Sequence, residues 1–235
     1  SESLPLVIDL EAERFANLHV TDAMLSSERE VVLEERSLRS EDDPGGRAFE
    51  ALGATVWTAH PYRRPVIGWR SDVEAVTVEA CQEFFDAYYA ANNLVIAVAG
   101  DFEAKATLDR IRLRFGGLRS AAIPRNPTRE PEQLGERRTR IEIDVRAPIL
   151  MAGWHAPATG HTDGPALDVA SQILSDGRSS RLYQRLVATE QKALYAYGGY
   201  WELQDAGLFY ASAGVRPGAS VEEVEALFFA EIDRI

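Results

Sequence analysis

The amino-acid sequence predicts a chain of mixed α and β structure, laid out as two blocks joined by a linker. Three observations carry this. Apolar residues recur at helical spacing in long stretches, run on as short β-rich segments in others, and fall silent between Arg119 and Arg137, which is rich in Pro, Arg, Glu and Asn. The blocks so divided are residues 1–118 and 138–235, with 119–137 as linker.

In the first block, helical patterns near 8–18 and 21–40 precede the turn signal Glu41 to Gly46. A further helical segment leads to a proline turn at His60 to Pro65. Thr77 stands where it caps a helix running to about Ala90, Asn93 to Gly100 reads as a buried strand, and Asp101 as the cap of a helix to about Phe115. The second block opens with a strand from Ile141 to Trp154, followed by helices near 163–175 and 179–190. Strands near 193–203 and 207–214 form an antiparallel pair about the turn Gln204 to Gly207. The last helix starts at about Ser220 and is still amphipathic at Ile235, which implies a domain that continues.

Composition bounds the function. The chain has 235 residues, 46% of them hydrophobic, which suffices for a real core. A net charge of -12 without a large Lys/Arg cluster argues against a nucleic-acid partner. Cys81 is the only cysteine, so neither an intrachain disulfide nor a thiolate metal cluster is available, and its spacing with Phe84, Phe85 and Tyr88 fits a buried structural thiol. No segment reaches the ~20 apolar residues of a membrane span, and no membrane partner is expected. The compartment leaves no readable trace; a bacterial cytoplasm or periplasm is the expectation.

The stretch from Ser27 to Arg36 carries the chemistry. At 100° per residue, Met24, Leu25, Val31, Val32 and Leu38 share one arc of a helix, and Glu28 and Glu35 project into its middle, while Glu30 and Glu34 point away. A carboxylate in a buried stripe must be neutralised, hydrogen-bonded or bound to a cation. Two of them, two turns apart, have the spacing of half a metal site; equally, Arg39 shares the arc and can pair with Glu35. Phosphate-binding loops, a Gly-x-Ser-x-Gly elbow and a His-x-x-x-His pair are absent. His19 and His60 read as structural or boundary residues, and His155 and His161 stand in no ligand pattern.

The ordered motifs resemble a family. Glu28 to Glu35, then Glu41 to Pro44, His60-Pro61-Tyr62, Pro65 to Trp69, Phe84-Phe85 with Tyr88-Tyr89, and Asn93 to Gly100 look like the pitrilysin-type (inverzincin) zinc peptidases. In the second block, Asp168 and the run Ile173 to Tyr183 resemble the start of that family's second domain. The resemblance implies an α+β fold of two partial pitrilysin-like domains, each a mixed or antiparallel sheet covered by helices. It also implies a zinc metalloendopeptidase acting on extended peptides as the parent protein, with Glu35 as the distal zinc ligand and Glu28 as the supporting catalytic acid. The implied partners are a peptide substrate and a pitrilysin-like subunit in a homo- or hetero-oligomer.

Two departures limit the carry-over. There is no H-x-x-E-H helix, so two histidine ligands and the water-activating glutamate are missing; the sequence reads as a central fragment that binds no zinc stably and is inactive by itself. An Arg and a Tyr seven residues apart, common in supportive second domains, are replaced by Val187 and Leu194 in ungapped alignment. Arg185, Tyr195 and Tyr197 lie near but at other spacings. The alternative reading is a non-catalytic pitrilysin-like scaffold or peptide-binding subunit. A third is a plain α/β interaction domain whose Glu28 and Glu35 are salt-bridged to Arg36 or Arg39.

Overall fold

A computed structural model describes residues 3–235. In chain order the elements are α1 (Leu4–Asn17), α2 (Asp22–Arg36), α3 (Pro44–Val56), α4 (Arg70–Ala75), α5 (Val78–Tyr88), α6 (Ala104–Phe115), β1 (Ile149–Ala156), α7 (Gly164–Ser175), β2 (Ala193–Trp201), β3 (Gly207–Val215) and α8 (Val221–Ile232). A π-helical turn, Ser37–Glu41, continues α2, and another, Tyr183–Thr189, precedes β2. The fold class is α+β: helices with one three-stranded antiparallel sheet of order β1-β3-β2.

The described residues form two compact units, 3–34 with 68–127, and 35–67 with 128–235. In the first, α1 packs on α6, and the Asp9 carboxylate holds Arg110 and Arg114 (Nε at 3.1 and 3.2 Å). Ile8, Ala12, Phe85 and Ala90 are its buried apolar residues. Thr77 caps α5 as expected, its hydroxyl accepting from the Ala80 amide at 3.2 Å. Cys81 is half-buried on that helix. The Asn92 side chain grips the backbone of Ala121 by both its amide groups, at 2.9 and 3.0 Å.

In the second unit, β3 lies between its two neighbours, in register Ile149↔Gly214 to Ala156↔Gly207 on one side and Tyr195↔Gly214 to Trp201↔Leu208 on the other. Side chains alternate between faces along each strand. Leu150, Ala152, Ala211, Ala213 and Val215 join Leu174, Leu182, Leu186, Val224 and Phe228 in the larger core under α7 and α8. Met151, Leu208 and Tyr210 face the other way, onto Leu52, Val56 and Trp57 of α3 and its exit. Gly153 lets α3 come close: a methyl group there would stand 3.1 Å from Val56. Ser220 caps α8 through the Glu223 amide at 3.3 Å.

Several expectations are corrected. Asn93 to Gly100 is not a strand; only a 3-10 turn, Ala91–Asn93, forms there, and Val95 is 92% exposed. A strand needs a ladder to satisfy its backbone, and among the described residues no segment pairs with this one in a ladder. The first strand of the second block starts at Ile149 rather than Ile141 for the same reason, since β3 ends its pairing at Ile149↔Gly214. The cap of α6 is Glu103, whose carboxylate accepts from the Lys105 and Ala106 amides, not Asp101. The short α4 was not anticipated. All strands among the described residues fall in the second block, so the sheet expected in the first is not formed.

Candidate functional site

The two glutamates singled out by sequence are both on α2. Neither is buried in an apolar stripe. Glu28 is exposed, the Glu35 side chain is 44% exposed, and Met24, Val31 and Leu38 of the presumed buried arc are open to solvent. Of that arc only Leu25 and Val32 are half-buried and the rest is exposed, so the carboxylates remain hydrated and their charge carries no large desolvation cost. Glu35 is instead an i,i+4 ion pair with Arg39, at 3.1 Å between Oε1 and Nη2.

The residue that α2 does bury is Arg36, 5% exposed. Its guanidinium meets Glu41 (Nε to Oε1, 3.1 Å) and Glu50 (Nη2 to Oε2, 3.0 Å). Two carboxylates for one buried cation is the compensation that a buried charge demands. The helix passes here into its π turn, and α3 begins beside it, with Asp43 accepting from the Gly46 amide at 2.6 Å as N-cap.

Of the histidines, His60 and His155 both lie against Trp57, ring centroids 5.7 and 4.6 Å away. His19 is exposed; the His161 ring accepts from the Asp163 amide at 3.2 Å. His60 is 3% exposed and structural: Nδ1 accepts from the Tyr62 amide at 3.3 Å, and its ring lies 4.2 Å from that of Tyr62. Among the described residues no three of His, Cys, Asp and Glu are grouped to hold a metal ion. Zinc needs three protein ligands and an open position, and the one anticipated ligand here is already paired with Arg39. The residues present therefore do not by themselves fit a zinc ion.

The best-built polar site is one that the sequence did not mark. The chain leaving α3 presents three successive amides, Thr58, Ala59 and His60, to the carboxylate of Glu130 at 2.7, 2.8 and 2.9 Å. Arg137 closes it from the side, 3.5 Å from Glu130 and donating to the Val56 carbonyl at 2.7 Å. His155 bonds the same carbonyl through Nε2 at 2.9 Å and stacks on Trp57, centroids 4.6 Å apart. Burial alone would raise the Glu130 pKa. The amides of His60, Thr58 and Ala59 and the nearby His155 outweigh that, lowering it from 4.5 to about 2. A glutamate in a polar linker gives no sequence signal for this role; it depends on amides some 70 residues away.

On β2, Tyr195 and Tyr197 stand side by side, ring centroids 5.6 Å apart. Burial, then Tyr197, raises the Tyr195 phenol above its usual range. Arg185 is engaged with Glu190 at 3.2 Å.

Residues 75–235 match the family profile described as the peptidase M16 inactive domain. The chain belongs to the M16 peptidase family. This agrees with the pitrilysin-type resemblance read from the motifs. The M16 relatives include the zinc protease PqqE of Helicobacter pylori, 29% identical over 232 residues, which are 97% of this chain and 52% of that protein. Subunit 1 of the bovine mitochondrial cytochrome b-c1 complex is 29% identical over 182 residues, 74% of this chain and 36% of its own. The crystal structure of a Helicobacter pylori protease superposes with a TM-score of 0.94 at 29% identity, covering 100% of this chain and 57% of that one. The chain thus spans about half the length of the curated M16 relatives it matches. No helix among the described residues is long and apolar enough to cross a membrane.

Proposed function

We propose that this chain is the central part of a zinc-dependent M16 endopeptidase that hydrolyses extended peptides. In this reading Glu35 is the distal zinc ligand, Glu28 the acid that supports it, and the chain by itself is inactive. The observation that carries it is the pair Glu28 and Glu35, seven residues apart on α2, within a chain that aligns over 97% of its length with a protein named a zinc protease. Both side chains are open to solvent, so ligands supplied from elsewhere in the whole protein can reach them. Glu35 would exchange its pairing with Arg39 for the metal. Residues 1–118 would be the C-terminal part of one pitrilysin-like domain, 119–137 the linker, and 138–235 the N-terminal part of a second. The protein would work with a peptide substrate and a pitrilysin-like partner subunit, in a bacterial cytoplasm or periplasm.

A second reading has its own support. The matching profile is described as the inactive domain, and a mitochondrial complex subunit is among the relatives. On this reading the protein is a scaffold or peptide-binding subunit. The deciding experiment uses the full product of the encoding gene, measuring bound zinc and cleavage of a quenched peptide. The peptidase reading expects one zinc per chain and activity, both lost in Glu35→Gln. A full-length protein with neither zinc nor cleavage would replace it with the scaffold reading.

A further inference from the structure

Residues 128–137 lie along the second unit without helix or strand, and they touch it in an uneven way. Residues 131–136 are exposed throughout, with Leu134 at 91%. Only the ends of this run dip inward: the Glu130 side chain is 8% exposed and that of Arg137 28%. Glu130 spends both carboxylate oxygens on three successive amides of residues 58–60. Arg137 reaches the last carbonyls of α3, Val56 at 2.7 Å and Thr55 at 3.4 Å. Helix-terminal carbonyls lack partners inside the helix, and a cation there also opposes the helix dipole. The flanking ion pairs are weaker, since Arg129 with Asp205 (3.8 Å) and Arg138 with Glu225 (2.6 Å) both involve arginines more than half exposed.

We infer that Glu130 and Arg137 form a two-point latch that turns the second half of the predicted linker into a strap fixed on the α3 exit, with Glu130 the dominant fastening. The geometry separates anion and cation by seven residues and fastens them to neighbouring parts of one turn: the amides that follow α3 and the carbonyls that end it. A carboxylate accepting three amide bonds is a charge-assisted cluster, stronger than neutral hydrogen bonds of the same number. The strap moves when the latch opens and does not swing freely while it is closed. This goes beyond the zinc reading and does not depend on it, because none of the residues involved is a proposed ligand.

The experiment compares the full 235-residue chain with Glu130→Gln and with Glu132→Gln, an exposed neighbour, under native conditions. Two readouts are taken: the rate of tryptic cleavage after Arg137 and Arg138, and amide hydrogen exchange at Thr58, Ala59 and His60. Glu130→Gln, shown to be folded by circular dichroism, is expected to raise both by tenfold or more, with Glu132→Gln unchanged. A smaller change in the folded variant overturns the latch. Should Glu130→Gln not fold, the wild-type exchange decides: protection of the three amides by tenfold or more supports the latch, and exchange at the unstructured rate overturns it.

Discussion

Glu130 is the residue whose environment has the clearest thermodynamic consequence. Its pKa in the folded chain is about 2, against an ordinary 4.5, because the amides of residues 58–60 and His155 favour the anion more than burial disfavours it. A depressed folded-state pKa means the contribution is fully present above pH 4.5 and fades as pH falls toward 2. A shift of this size corresponds to about 3 kcal/mol. Urea midpoints for the wild type and Glu130→Gln should therefore lie well apart at pH 7 and converge near pH 2. Parallel curves across that window would show that the carboxylate charge does not stabilise the fold. Gly46 is the other residue with a sharp prediction. It opens α3 against the preceding π turn so closely that a Cβ would fall on the Arg39 carbonyl oxygen. Gly46→Ala should lower stability by roughly 3 kcal/mol through backbone displacement, whereas Gly45→Ala, whose Cβ meets only the capping Asp43 carboxylate at 3.2 Å, should cost much less in a thermal melt.

At the scale of elements, legibility followed locality. Thr77 capping α5 and Ser220 capping α8 were readable because a cap is made by residues two or three apart. The β2–β3 pair was readable from the turn at Gln204 to Gly207 and the strand-like stretches beside it. Asn93 to Gly100 has the composition of a strand but not the neighbour that makes one, and neighbours are not encoded in a segment's own residues. Apolar periodicity locates α2 but not its burial. Periodicity marks an apolar arc without saying whether anything covers it, and Met24, Val31 and Leu38 remain exposed while Arg36 is buried instead. The candidate pair Glu28 and Glu35 was legible only as a pattern of spacing. Its Arg39 contact was foreseen as the alternative to a metal, and Glu130, the most elaborately bound carboxylate, was not foreseen at all.

For the whole molecule the governing fact is apolar surface without a covering layer. Val95 is 92% exposed, Ile96 39%, and Met24 and Val31 of α2 and Leu38 of the π turn after it are each more than half exposed. Residues 94–99 are apolar and outside any ladder, and beyond the Leu94 amide, which closes the 3-10 turn on the Ala91 carbonyl, their backbone groups are offered to water or to another chain. Water satisfies those groups but leaves the apolar side chains hydrated at a cost of ~25 cal/mol per Å² relative to burial. Pairing with the same segment of a second copy relieves both at once, because an extended run can act as donor and template together. The net charge of -12 opposes close approach, and added salt screens that repulsion over about 10 Å. The 235-residue chain is therefore expected to self-associate by strand pairing, more so at higher salt, as read by light scattering behind gel filtration. Val95→Lys places a charge on the pairing edge and should return the chain to a monomer. A wild-type chain that stays monodisperse and monomeric at every salt concentration would mean that residues 94–99 are stably hydrated, and that their apolar character alone does not drive assembly.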